Sequence, residues 1–78
     1  MNNLEKLTKV FADTFGIAVN EVAGLQYQGI EQWDSVGHMT LVAAIEDEFG
    51  IEMDTDDIID MSSFDKAKEI VSKYGIAL

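Results

Sequence analysis

The chain of 78 residues contains no cysteine and no proline, and its five basic residues are all lysines. The absence of cysteine excludes a disulfide framework, a cysteine-type zinc site and a thiol nucleophile. The longest unbroken apolar run is five residues, whereas a membrane-spanning helix needs about 20. The N-terminus lacks the basic segment followed by an apolar segment that would indicate a signal peptide. We therefore expect a soluble, cytoplasmic protein that does not insert into a membrane.

Positive charge is scarce, and negative charge is concentrated in the middle of the chain. Fifteen Asp and Glu residues against five lysines give a formal net charge of −10. Residues 10–65 contain 13 acidic residues and no Lys or Arg, so this segment carries −13. Such a charge repels phosphate backbones and excludes nucleic acid as a partner. It indicates either a solvated surface that maintains solubility or a docking surface for basic partners.

The short chain limits the size of the core and of any pocket that the protein can form. Seventy-eight residues predict a single domain over residues 1–78, with one core and little material to enclose a deep catalytic pocket. We expect this domain to be a monomer.

Capping residues and apolar spacing predict four helices and no strand. The predicted helices cover residues 4–15, 34–49, 56–60 and 62–74, each bounded by Asn, Asp, Ser or Gly signals. The fold class is therefore all-α: a small four-helix bundle of three main helices and one short helix. The long loop over residues 16–33 separates the first two helices.

Scattered apolar residues without clear periodicity predict that this loop is pinned onto the core by its side chains. A helical turn is expected near Asn20, and Trp33 is expected to cover the core as a hydrophobic plug. In the short third helix, both Ile58 and Ile59 are expected to reach the core.

The second helix has two apolar faces. At about 100° per residue, its core face consists of His38, Leu41, Val42, Ile45 and Phe49. Val36, Met39 and Ala43 lie on nearly the opposite side, and Asp47 continues their line. A helix in a small bundle does not need this second stripe for folding, which favours a partner contact over chance surface exposure.

Ser35 lies at the start of the second helix, beside the second stripe. It is interpreted either as a plain N-cap or as a nucleophile with His38 as base and Asp34 as acid. The hydrolase interpretation is weak, because the only histidine points toward the core face. The acidic run over residues 54–60 does not have the spacing of a calcium loop, so no metal site is predicted.

The triplet Asp34-Ser35-Val36 opens a helix that ends in the acidic segment 45–51, Ile-Glu-Asp-Glu-Phe-Gly-Ile. This combination resembles the acyl carrier proteins, and the resemblance covers essentially the whole chain. It implies that Ser35, next to Asp34, receives 4′-phosphopantetheine from coenzyme A. A separate Mg²⁺-dependent phosphopantetheinyl transferase would catalyse this step. The arm's thiol would then carry acyl groups as thioesters, and the carrier itself would not be an enzyme.

The resemblance also implies a docking surface for acyl-loading and acyl-transferring enzymes that have basic patches. The matching positions are Val36, Met39, Ala43, Glu46 and Asp47. Carriers of primary fatty acid synthesis usually have acids where this chain has Gly37 and Thr40. Trp33 and His38 look similar to free-standing carriers of specialised pathways. Fatty acid, polyketide and specialised acylation pathways therefore stay open, as does an unmodified acidic adaptor that acts only by protein–protein binding.

Overall fold

The computed structural model describes residues 1–78 and contains four α-helices. They are α1 (Asn3–Phe15), α2 (Ser35–Phe49), α3 (Thr55–Asp60) and α4 (Phe64–Lys73), with a short 3-10 turn at Val19–Glu21 between the first two. The all-α prediction is confirmed, as are the short third helix, the long first loop and the turn near Asn20.

Side-chain caps and left-handed residues fix the helix ends. The Asn2 side chain accepts a hydrogen bond from the Glu5 backbone N–H at 2.8 Å, and the Glu5 carboxylate accepts one from the Asn2 N–H. This capping box satisfies donors that the first turn leaves unpaired. Gly16 and Gly50 end α1 and α2 with φ of +67° and +64°, a conformation that favours glycine.

An aromatic cluster fills the centre of the bundle. Phe11 contacts Phe15, Trp33 and Phe64 edge to face, with ring centroids 6.2, 5.5 and 5.0 Å apart. Trp33 is fully buried, which confirms its predicted role as a plug. Because edge-to-face contacts suit the ring quadrupoles, this cluster fixes the end of the long loop against α1 and α4.

The long loop is attached to the core by side chains and to α4 by its backbone. Val22 and Leu25 are buried together with Trp33, as the apolar residues of the loop predicted. The Tyr27 N–H donates to the Ser62 carbonyl at 2.8 Å, and the Phe64 N–H donates to the Leu25 carbonyl at 2.9 Å. The middle of the loop therefore lies beside the start of α4.

Two expectations are corrected by the structure. Helix α4 begins at Phe64 rather than at residue 62, because the Ser63 hydroxyl caps the Lys66 N–H at 3.0 Å while the Ser62 carbonyl bonds to the loop. Ile59 does not reach the core and is 72% exposed. Adjacent helix positions diverge by about 100°, so only its neighbour Ile58 packs against the core.

A polar cluster holds α3 against the end of α4. The buried carboxylate of Asp57 accepts hydrogen bonds from the Lys73 ammonium at 2.5 Å and the Tyr74 hydroxyl at 2.6 Å. The Tyr74 oxygen in turn accepts from the Asp54 N–H at 2.8 Å. We call these four residues the Asp57 clamp. It pairs the one buried acid with a cation, as burial of a charge requires.

The clamp shifts the titration of its members. Hydrogen bonds from Lys73 and then Tyr74 lower the pKa of Asp57 below its ordinary 3.8. The bond to Asp57 raises the pKa of Lys73 from 10.5 and that of Tyr74 from 10.0. The Asp57 contribution to stability is complete above its ordinary pKa and is lost as the pH falls through the folded-state value. The Lys73 and Tyr74 contributions are complete below their ordinary pKa values and are lost as the pH rises through the folded-state values.

We expect Asp57→Asn to lower the melting midpoint by about 5 °C at pH 7, because it removes a buried, paired charge. The difference from the unchanged chain should shrink as the pH falls through the folded-state pKa of Asp57, since the unchanged chain then loses the same charge. Circular dichroism melts between pH 2 and 7 measure this. Asp56→Asn, at an exposed neighbour in the same helix, is the matched control and should not lower the midpoint. Equal midpoints for the two variants would contradict the clamp.

Candidate functional site

Asp34 caps α2, so the Ser35 hydroxyl is not used as the cap. The Asp34 carboxylate accepts a hydrogen bond from the Gly37 N–H at 2.8 Å, and its backbone carbonyl accepts from the His38 N–H at 2.8 Å. Ser35 is the first helical residue and is exposed. The interpretation of Ser35 as a plain N-cap is therefore wrong, and its hydroxyl is accessible from solvent.

Two backbone donors lie beside this hydroxyl. The N–H groups of Ser35 and Val36 belong to the unpaired first turn of α2 and donate to no protein group. The helix dipole adds partial positive charge at the same end. The arrangement fits a phosphate group attached to the Ser35 oxygen, because free amides and the dipole both favour an anion there.

A largely apolar groove of about 400 Å³ lies between α2 and α3, and Ser35 is one of the residues that line it. Its walls come from the long loop, α2, α3 and the segment before α4. The lining residues are Tyr27, Ser35, His38, Met39, Ile58, Ile59, Met61 and Ser62. A second groove, of about 510 Å³ along α1, shares none of these residues.

Tyr27 is the residue that contacts the Ser35 side chain directly. Its phenolic oxygen lies 3.3 Å from the Ser35 Oγ. Its ring meets Trp33 and His38 edge to face, with centroid distances of 6.2 and 5.6 Å. The loop therefore contributes a polar group to the site at the start of α2, which the irregular loop sequence did not predict.

His38 forms a structural link rather than a catalytic group. Its Nδ1 accepts a hydrogen bond from the Trp33 indole N–H at 2.9 Å, and its Nε2 lies 2.7 Å from the Ile58 carbonyl. An indole only donates and a carbonyl only accepts, so the partners assign the proton to Nε2. Both ring nitrogens are occupied, and neither is free to take a proton from Ser35. The hydrolase interpretation is therefore wrong.

The second stripe of α2 faces solvent. Val36 is 77% exposed and Met39 is 53% exposed, and Ala43 and Asp47 are also exposed. Glu46 is half-buried, and one of its carboxylate oxygens accepts a hydrogen bond from the Met53 N–H at 2.8 Å. The stripe is thus an apolar strip next to an acidic helix end, and Glu46 also supports the segment before α3.

The sequence matches a known protein family. Residues 5–70 match the family described as the phosphopantetheine attachment site, which covers most of the 78-residue chain. The chain belongs to this family of carrier proteins. A comparison with curated proteins gives no match.

Membership defines the general chemistry of the carrier. A carrier of this family is covalently modified with 4′-phosphopantetheine and is not itself an enzyme. It works with a phosphopantetheinyl transferase and with acyl-handling enzymes. None of its helices has the length and apolar character needed to cross a membrane. No group of three or more His, Asp or Glu side chains is arranged to hold a metal ion.

Gly37 allows a close approach that the helical pattern did not reveal. A Cβ at this position would lie 1.9 Å from the Gln32 carbonyl oxygen. The loop backbone therefore contacts the first turn of α2 directly, and no side chain fits between them. This contact requires glycine at a position where carriers of primary fatty acid synthesis usually have an acid.

We expect Gly37→Ala to destabilise the carrier, although alanine is favoured over glycine in a helix by about 1 kcal/mol. Overpacking of this kind costs about 1–3 kcal/mol, so the melting midpoint should fall by about 5 °C or more. Gly24→Ala is the matched control, because a Cβ there meets nothing within 4 Å. A Gly37→Ala variant that melts above the unchanged chain would contradict the close approach.

Proposed function

We propose that Ser35 is the residue that carries 4′-phosphopantetheine. The proposal rests on the position of Ser35, which has an exposed hydroxyl at the first position of α2, next to two free amides and inside the matched segment. Two of the other three serine hydroxyls bond to the backbone, since Ser63 caps α4 and Ser72 donates to the Lys68 carbonyl. Ser62 is exposed on the same groove but lies before α4 rather than within it.

In the transfer, the Ser35 oxygen forms a bond to phosphorus in the pyrophosphate of coenzyme A. The bond from that phosphorus to the nucleotide half breaks, and the nucleotide leaves with the electron pair. A base of the transferase takes the serine proton, because His38 is occupied by Trp33 and Ile58. The bound arm supplies the thiol that this chain lacks. The free amides of Ser35 and Val36 favour the phosphate charge.

We expect Ser35→Ala to abolish modification completely, because the attacking oxygen is removed. Intact-mass spectrometry after incubation with coenzyme A and a broad-specificity transferase measures the gain of one arm. Ser62→Ala, which removes the other exposed serine of the groove, is the control and should be modified at the rate of the unchanged chain. An arm on the Ser35→Ala chain would refute the assignment. No gain by the unchanged chain with several transferases would favour the unmodified adaptor.

The docking surface is proposed to be the exposed face of α2. It combines Val36, Met39 and Ala43 with the acids Glu46 and Asp47. The −13 charge of residues 10–65 attracts basic patches on the transferase and on acyl-loading and acyl-transferring enzymes. The apolar strip then offers area to bury after encounter, and it starts next to Ser35.

Met39→Glu should raise the KM of the transferase about tenfold, because it puts a charge into the apolar strip. Val19→Glu makes the same change at a site that is 60% exposed in the 3-10 turn, and should leave KM unchanged. Helical circular dichroism should be the same for both variants. Equal KM values, or loss of helicity in Met39→Glu alone, would count against the surface.

The acyl cargo is proposed to belong to fatty acid, polyketide or specialised acylation chemistry. Gly37 and Thr40 stand where carriers of primary fatty acid synthesis usually have acids, and this favours a specialised pathway. We further propose that residues 1–78 form a single domain that is monomeric and lies in the cytoplasm. The cargo is selected by the loading enzyme, so the acyl group found on the carrier in its own cell tests the pathway.

A further inference from the structure

Tyr27 is the one side chain hydrogen-bonded to the Ser35 hydroxyl. The phenolic oxygen and the Ser35 Oγ are 3.3 Å apart, whereas hydroxyl pairs usually approach to about 2.7–2.8 Å. The phenol is therefore close enough to orient the hydroxyl and is not tightly bound to it. At this distance the phenolic proton stays available to a stronger acceptor, such as a group attached to the Ser35 oxygen.

Packing fixes the Tyr27 ring. It is half-buried and meets Trp33 at 89° and His38 at 76°. Trp33 is fully buried, and its hydrogen bond holds His38 in place. The ring is therefore held by two neighbours that cannot move independently, and its hydroxyl stays directed at Ser35.

The backbone around Tyr27 is fixed as well. Its N–H bonds to the Ser62 carbonyl at 2.8 Å, and the N–H of Gln28 bonds to the Trp33 carbonyl at 3.0 Å. Gln28 has a φ of +63° and is the only non-glycine residue with positive φ. This conformation costs free energy for any residue with a Cβ, and such strain persists where the surroundings enforce it, often beside functional sites.

We propose that Tyr27 is a positioning residue that orients the Ser35 side chain and donates a hydrogen bond to the phosphoryl group attached there. The proposal rests on the proposed role of Ser35. A charged phosphodiester oxygen is a stronger acceptor than a neutral hydroxyl, so the Tyr27 bond strengthens as the new oxygen–phosphorus bond forms. Tyr27 keeps its proton throughout, and the proton of Ser35 goes to the transferase.

The test compares Tyr27→Phe with Tyr74→Phe, which deletes the only other phenol of the chain. Both variants keep the ring, and both are assayed below their melting midpoints. With coenzyme A and a transferase, Tyr27→Phe should lower kcat about tenfold, the equivalent of about 1.4 kcal/mol, and leave KM unchanged. In the modified chains, the ³¹P chemical shift of the phosphodiester should move in Tyr27→Phe and stay unchanged in Tyr74→Phe.

The outcomes separate this proposal from the role of Ser35. A Ser35→Ala chain that still gains the arm overturns the attachment site, whatever Tyr27→Phe does. If Ser35→Ala blocks modification but Tyr27→Phe leaves kcat and the ³¹P shift unchanged, the positioning role alone is overturned. Equal changes in Tyr27→Phe and Tyr74→Phe would also overturn it, because they would reflect a general effect of losing a phenol.

Discussion

The site depends on one partly buried hydrogen-bonded link, in which the His38 imidazole joins the Trp33 indole to the Ile58 carbonyl. Through this ring, the end of the long loop, the first turns of α2 and helix α3 are held to one another. Tyr27 packs against two members of the link, so its hydroxyl has a fixed position next to Ser35. A loop of irregular sequence forms a fixed wall of the site because its polar and aromatic groups contact α1, α2 and α4.

In this arrangement the chain presents a serine hydroxyl but supplies no base to activate it. Asp34 takes the capping role, and His38 is engaged on both nitrogens, so Ser35 is left as an exposed hydroxyl without a base. That is suitable for a carrier, because the transferase supplies the base when the arm is attached. The Asp57 clamp lies outside this arrangement, because none of its residues lines the groove and its hydrogen bonds hold α3 to the end of α4.

Local signals in the sequence were enough for the helices and for the place of Ser35. Caps, glycines and apolar stripes act within one or two turns, so they could be read along the chain. The features that were missed depend on contacts between distant segments. The Gln32 carbonyl excludes a side chain at Gly37, and the only sign of this contact in the sequence is the glycine itself. The pairing of Asp57 with the end of α4 looks, in sequence, like one more acid in a run. The exposure of Ile59 depends on which face of α3 packs against the core.

The hydrogen bonds of His38 require a proton on Nε2 and an unprotonated Nδ1 that accepts from the Trp33 indole. Nitrogen-15 NMR of the imidazole at neutral pH tests this assignment most directly, together with hydrogen exchange of the Trp33 indole. We expect the tautomer protonated on Nε2, an Nδ1 that accepts a hydrogen bond, and an indole proton that exchanges far more slowly than that of free indole. A proton on Nδ1, or fast exchange of the indole proton, would contradict it.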